Sequence, residues 1–239
     1  MKRVILAAVF MMILSTAFSA GEVKGADLTN PSVVSDVTNR MMNGLPTTLD
    51  EQLGVAAPGL FGAVTPSETG YIIIGDSRMT GLNVACNVNS TPDNWFVVAC
   101  AGVHLNYLNE VAIPAADNLR ASHPEIGHWK YIINLGLTDL DKAKTYANML
   151  SNLAATRDVY FMSVNPTNIT AVTSLYQLTN DRIAAFNKAV AAYAPGVKYL
   201  DTYDYLIQTG FKTAEDGFHY DNPTTQRIYD AIKAGVMAM

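Results

Sequence analysis

Five short runs of apolar, β-branched and aromatic residues recur between residues 71 and 201. They read YIIIG, WFVVACAG, YIINLG, VYFMSVNP and VKYLD. The runs are continuous rather than alternating, which is typical of strands covered on both faces. Four stretches have helical character, namely Tyr107 to Leu119, Leu140 to Ala155, Val172 to Tyr193 and Thr224 to Met239. Strands that alternate with helices predict right-handed βαβ units and a doubly wound, parallel α/β sheet.

The first 68 residues have a different character. Lys2 and Arg3 precede an apolar run that ends at Leu14, and small residues follow, so we predict a secretory signal peptide over residues 1–20. The apolar run is too short to span a bilayer, which argues against stable membrane insertion. Residues 21–68 mix Pro, Gly, Asn and Thr with short apolar clusters, and we interpret them as a leader with short helices. The main domain is therefore predicted over residues 69–239, in a secreted or extracytoplasmic protein.

Composition excludes several classes of partner. The formal net charge is −5 and no stretch is rich in Lys or Arg, which argues against nucleic-acid binding. The four histidines and two cysteines show no metal-ligand spacing, so we predict no metal and no cofactor.

Export would permit a disulfide between Cys86 and Cys100, but the sequence is equally consistent with two buried free thiols.

Polar residues collect where the predicted strands end. They are Gly75-Asp76-Ser77, Gly102, Thr138-Asp139 and Ser163-Val164-Asn165, and the last loop adds Asp216 and His219 in DGFHYD. Ligands of a doubly wound sheet bind at this edge. A serine hydroxyl becomes a useful nucleophile only when a base removes its proton and a third group orients that base. We therefore predict Ser77 as nucleophile, His219 as base and Asp216 as the orienting carboxylate.

Two backbone N–H groups are candidates for an oxyanion hole. Ser77 lies at a strand-to-helix junction, beside the positive end of a helix dipole, and Gly102 has no Cβ to obstruct an acyl group. Each piece also has a simpler interpretation. Gly-Asp-Ser can be a plain turn, and Asp139 can be the cap of the helix that follows it.

Together these pieces resemble the sequence blocks of the SGNH, or GDSL-like, hydrolase family. The matching residues are Gly-Asp-Ser at 75–77, Gly102, the stretch Gly136 to Asp139 and Asp-x-x-His at 216–219. The resemblance implies a flavodoxin-like, three-layer α/β/α sandwich with a five-stranded parallel sheet, and ester hydrolysis through an acyl-serine. The chain departs from the family at Thr138, where the family has an oxyanion-donating Asn. No Gly-x-Ser-x-Gly elbow points to an ordinary α/β-hydrolase.

The predicted function is that of a secreted serine esterase that removes short acyl groups, such as acetyl, from a small-molecule or glycan ester. Ser77, Gly102 and Thr138 are predicted to form the oxyanion hole, and Arg78 and Asn165 to bind substrate. Two alternatives stay open at this point. A catalytically weakened carbohydrate- or cell-wall-binding protein would keep the cleft, and an acyltransferase would pass the acyl group to a sugar hydroxyl.

Overall fold

The computed structural model describes residues 68–91, 93–168 and 178–239. The predicted signal peptide and leader therefore lie almost entirely outside the described residues. The strands are β1 (Thr69–Gly75), β2 (Trp95–Ala99), β3 (His128–Asn134), β4 (Asp158–Met162) and β5 (Lys198–Leu200). They form one sheet in the order β2-β1-β3-β4-β5, and every pairing is parallel. The predicted five-stranded parallel sheet is confirmed.

The helices cover both faces of this sheet. They are α1 (Ser77–Cys86), α2 (Ile113–Ser122), α3 (Ala143–Ala154), α4 (Asn180–Tyr193), α5 (Thr202–Thr209) and α6 (Asn222–Ala238). Ile72 and Ile74 of β1 pack into a core with α2, α3 and α4. Ile73 points the other way and packs into a second core with α1, α5 and α6. The alternation of side chains along β1 thus separates the two cores and gives the predicted three layers.

The helices differ from the prediction in three places. Helix α5 follows β5 directly and has no counterpart among the predicted helices. A helical turn, Leu105–Tyr107, and a π-helical segment, Leu108–Ala112, precede α2. The helix predicted from Val172 begins at Asn180 in the described part of the chain.

Strand register brings three loops to one level of the sheet. Gly75 at the end of β1 pairs with Ala99 of β2 on one side and with Asn134 of β3 on the other. The chain leaves β1 for an edge at β2 and then crosses back to β3, so the order of strands reverses beside β1. Such a reversal opens a crevice at the carboxyl ends of the strands. The loops that follow Gly75, Ala99 and Asn134 therefore surround one position.

The two cysteines are not joined to each other. Cys86 is half-buried and Cys100 is buried, and no disulfide joins them. Of the alternatives left open by the sequence, the structure therefore has two thiols. In the described part of the chain, no helix has both the length and the apolarity needed to cross a membrane.

Candidate active site

Ser77 is the first residue of α1, directly beyond the end of β1. Asp76 is the N-cap, and its carboxylate accepts a hydrogen bond from the Arg78 N–H at 2.9 Å. Gly75 allows the chain to turn this sharply, because a Cβ at that position would come within 2.6 Å of Met79 Cβ. The local sequence Gly-Asp-Ser thus ends the strand, caps the helix and leaves the serine hydroxyl at the crevice.

His219 bridges Ser77 and Asp216. Its Nε2 lies 2.8 Å from Ser77 Oγ, and its Nδ1 lies 2.6 Å from Asp216 Oδ2. The other carboxylate oxygen of Asp216 accepts the backbone N–H groups of Phe218 and His219, each at 3.0 Å. Burial acts to raise the pKa of Asp216, but these hydrogen bonds outweigh it and lower that pKa. The carboxylate therefore stays ionised and holds the imidazole in one orientation.

Arg78 and Asn165 are buried beside the site, and Arg78 contributes to the lining of the cavity next to Ser77. The Arg78 guanidinium is 5 % exposed and donates to the carbonyl oxygens of Phe218 at 2.9 Å and Asn165 at 2.8 Å. It also lies over the Tyr220 ring, 5.2 Å from the centroid. Asn165 is fully buried, and its side-chain oxygen accepts from Thr202. Both side chains are buried, and Arg78 holds the loop that carries His219. Their predicted contact with substrate stays a prediction.

The three candidate oxyanion donors lie on the segments that follow β1, β2 and β3. The N–H groups of Ser77 and Gly102 have no hydrogen-bond acceptor among the residues that the structure describes. Gly102 has a φ of +72°, in the left-handed region that favours glycine. Thr138 is exposed, and its Oγ1 lies 3.0 Å from His104 Nδ1 and 3.5 Å from the Val103 carbonyl oxygen. Two free N–H groups and one hydroxyl are thus available at the ends of β1, β2 and β3.

Asp139 does not cap the helix that follows it. Helix α3 begins at Ala143 with no side-chain cap. The Asp139 carboxylate instead accepts the Leu105 N–H at 2.9 Å, the Tyr146 hydroxyl at 3.2 Å and Lys142 Nζ at 2.6 Å. It thereby ties the loop after β3 to the start of the helical segment after β2. The alternative interpretation of Asp139 as the cap of the following helix is wrong. Its carboxylate instead accepts the N–H of Leu105, the first residue of a helical turn that lies 34 residues earlier in the sequence.

A cavity of about 200 Å³ adjoins the Ser77–His219 pair. It runs between α1 and α6, and its lining includes Gly81, Val84 and Ala85 of α1 and Thr225 and Ile228 of α6. Within the described ranges, no group of three or more His, Cys, Asp or Glu side chains is arranged to hold a metal ion.

The fold and the position of this cluster define a doubly wound α/β protein whose candidate site lies at the switch point of its sheet. No protein-family model matches the chain, and no curated protein matches it in sequence. Solved structures of SGNH hydrolases do match it in fold. The chain has the SGNH hydrolase fold, which confirms at the level of the fold the resemblance seen in the sequence.

Three of these structures illustrate the likeness. The C-terminal catalytic domain of peptidoglycan O-acetyltransferase A from Streptococcus pneumoniae, solved with a methylsulfonyl adduct, aligns with a TM-score of 0.51 and 15% identity over 71% of this chain and 93% of that chain. A protein assigned as an acylhydrolase from Bacteroides fragilis has a TM-score of 0.51 and 17% identity over 75% and 89%. A protein assigned as an SGNH hydrolase from Slackia heliotrinireducens has a TM-score of 0.53 and 16% identity over 70% and 98%.

Proposed function

We propose that the protein is a serine esterase that hydrolyses short-chain acyl esters through an acyl-serine intermediate. The observation that carries the proposal is the continuous hydrogen-bonded string from Ser77 Oγ through His219 to Asp216. A nucleophile within hydrogen-bond reach of a base, itself oriented by a third group, is the arrangement that activates serine. The SGNH hydrolase fold, shared with proteins named as acylhydrolases, supports the same reaction class.

In the first half-reaction, Ser77 Oγ attacks the ester carbonyl carbon while His219 Nε2 takes the hydroxyl proton. The resulting tetrahedral intermediate carries its negative charge on the former carbonyl oxygen. When it collapses, the bond to the alcohol oxygen breaks, and the proton on His219 passes to that oxygen. The carboxylate of Asp216 stabilises the imidazolium that exists between these two transfers.

In the second half-reaction, water attacks the acyl-serine. His219 removes one proton from the water, a second tetrahedral intermediate forms, and its collapse releases a carboxylic acid and returns the proton to Ser77 Oγ. Acyl transfer would differ only in the attacking group, a sugar hydroxyl in place of water. The Streptococcus pneumoniae neighbour is named as an O-acetyltransferase, which supports acyl transfer as the second candidate reaction.

The oxyanion hole consists, in this proposal, of the N–H groups of Ser77 and Gly102 and the hydroxyl of Thr138. Each donor acts mainly on the charged intermediate, and a single donor of this kind is worth about 10²–10³ in turnover. Thr138 presents a shorter donor than an asparagine amide. We therefore expect substitutions of Thr138 to change turnover strongly relative to the wild type.

The substrate class follows from the cavity and from the amino terminus. A space of about 200 Å³ beside the Ser77–His219 pair has room for a short acyl group. The signal peptide that the sequence predicts over residues 1–20 supports export, where a carbohydrate such as a wall glycan or a plant polysaccharide would be accessible. We therefore propose secretion and an acetylated carbohydrate as the substrate.

The test is a fluorophosphonate probe combined with acyl-nitrophenol and acetylated-glycan substrates. The wild type and the control Ser90→Ala, whose exposed serine lies in the short helix Val88–Ser90 and outside the lining of the cavity beside Ser77, should label and turn over. Ser77→Ala should lose both labelling and turnover while its far-ultraviolet circular dichroism stays unchanged. A folded wild type that neither labels nor hydrolyses any ester would favour a binding protein and reject the proposal.

A further inference from the structure

A second cluster of an acid, an imidazole and a hydroxyl, formed by Asp139, His104 and Thr138, lies beside the candidate oxyanion hole. His104 Nδ1 faces two oxygen atoms, Thr138 Oγ1 at 3.0 Å and Asp139 Oδ2 at 3.6 Å. Asp139 is 2 % exposed and fully engaged, whereas the His104 side chain is 53 % exposed. His104 and Thr138 belong to different loops, which follow β2 and β3. The contact joins the two loops that flank the proposed oxyanion position.

The carboxylate of Asp139 determines which ring nitrogen of His104 carries a proton. A deprotonated Nδ1 would direct its lone pair at a carboxylate oxygen 3.6 Å away, which is repulsive. A protonated Nδ1 is attracted to the same oxygen and donates its hydrogen bond to Thr138 Oγ1. Burial acts to raise the pKa of Asp139, but the interaction with the nearby His104 and the hydrogen bonds from Lys142 and the Leu105 N–H outweigh it and leave that pKa well below its usual range. The carboxylate is therefore present at every working pH.

This assignment of the Nδ1 proton leaves the proton of the Thr138 hydroxyl uncommitted. Since Thr138 Oγ1 accepts from His104, its own hydrogen must go elsewhere. Among the described residues, the only other hydrogen-bond acceptor within reach of it is the Val103 carbonyl oxygen, at 3.5 Å, which is the weak limit of a hydrogen bond. A charged oxygen nearby is a far better acceptor. A hydroxyl that already accepts a hydrogen bond also becomes a stronger donor.

We propose that His104 is a positioning residue that turns the Thr138 hydroxyl proton toward the oxyanion and strengthens it as a donor. The inference rests on the proposed esterase function. His104 takes no part in breaking or forming covalent bonds, and its role is to occupy the acceptor side of Thr138. The charged groups that face it are Asp139, which attracts its proton, and Lys142, which opposes a positive charge on it. The contact with His104 thereby makes the Thr138 hydroxyl a polarised donor, at the position where the SGNH family has an asparagine amide.

The activity test uses variants of His104 with Thr138→Val as the partner mutation. His104→Ala should lower kcat about tenfold with little change in KM, which is the factor expected for one lost hydrogen bond. His104→Asn places an amide N–H close to the Nδ1 position and should restore most of that loss. In the Thr138→Val background, His104→Ala should have no further effect. The control His128→Ala removes an exposed imidazole at the start of β3 and should leave kcat unchanged.

A second measurement does not depend on activity. Nitrogen chemical shifts of ¹⁵N-histidine-labelled protein, recorded above the pKa of His104, should show the neutral ring protonated at Nδ1. Protonation at Nε2 instead, an unchanged kcat in His104→Ala, or additive effects of the two substitutions would overturn the inference while leaving the esterase intact. A wild type with neither turnover nor labelling at Ser77 would overturn the esterase proposal and this inference with it.

Discussion

Replacing Arg78 with methionine tests whether the buried guanidinium holds the loop that carries His219 in place. The guanidinium makes two short hydrogen bonds, to Phe218 O and Asn165 O, and a longer one of 3.5 Å to Pro166 O. Hydrogen bonds from charged groups contribute about 1.5–3 kcal/mol each, so the two short ones contribute about 3–6 kcal/mol. Methionine recovers part of the desolvation cost of the buried charge, which is several kcal/mol. We expect the free energy of unfolding to fall by about 3 kcal/mol.

Activity should fall for a separate reason. His219 directly follows Phe218, so release of the Phe218 carbonyl allows the imidazole to move away from Ser77. A displacement of about 1 Å can cost 10²-fold in rate. The rate of fluorophosphonate labelling, measured in buffer where Arg78→Met is fully folded, should therefore fall by about 10²-fold. Arg78→Lys keeps the charge but lacks the planar guanidinium group, so its labelling rate should lie between those of the wild type and Arg78→Met.

Arg227→Met is the matched control. Its guanidinium also donates to two carbonyl oxygens, those of Thr209 and Gly210, but in an exposed position. The substitution should cost about 0.5 kcal/mol or less and leave labelling unchanged. Urea denaturation measures the stabilities. A loss below about 1 kcal/mol in Arg78→Met, or labelling of that folded variant at the wild-type rate, would refute the reasoning.

Three further predictions concern other parts of the chain. Because the pKa of Asp139 is lowered in the folded state, its contribution to stability is present above the unfolded pKa of about 3.9 and is lost as pH falls. Asp139→Asn should therefore be less stable at neutral pH and lose less stability below about pH 4, and parallel denaturation curves for the two proteins would contradict this. Burial raises the pKa of Cys86 to about 11 and that of Cys100 to about 12. Iodoacetamide at neutral pH should modify both at least about 10²-fold more slowly than a free thiol, as measured by mass spectrometry, and rapid alkylation of the folded protein would argue against the burial. Gly136→Ala should cost about 2–4 kcal/mol, because φ is +127° and the new methyl group would press on an aromatic ring of α4. Gly210→Ala, with φ of +75° and no atom within 4 Å, should cost only about 1 kcal/mol, and equal losses of thermal stability would exclude a steric cause.

The strands and the candidate triad could be predicted because their signals are local. Each strand is a contiguous apolar run, and Asp216 and His219 lie three residues apart in one loop. Helix α5 was missed because it is only eight residues long and follows the shortest strand without a loop. Its one fully buried apolar residue, Leu206, gives no periodic pattern.

The contacts of Arg78 and His104 could not be predicted, since they form between segments that are distant in sequence. Arg78 reaches a carbonyl 140 residues further along the chain, and His104 meets a hydroxyl 34 residues away. An arginine next to a candidate nucleophile suggests substrate binding until the loop that buries it is known. The partner of His104 depends on two loops that leave different strands at the same level. These contacts follow from sheet register, which the sequence specifies only indirectly.

Ser77 and His219, whose side chains are in hydrogen-bond contact, are separated by 142 residues of chain. Ser77, all five strands and both core layers apart from α6 precede residue 210. During synthesis, the Ser77 hydroxyl therefore emerges 142 residues before the His219 imidazole. A growing chain, or one cleaved before Asp216, can contain the residues of all five strands and still lack the imidazole. On the proposed function, cleavage at that point would separate the number of chains that carry Ser77 from the number that can react with a fluorophosphonate.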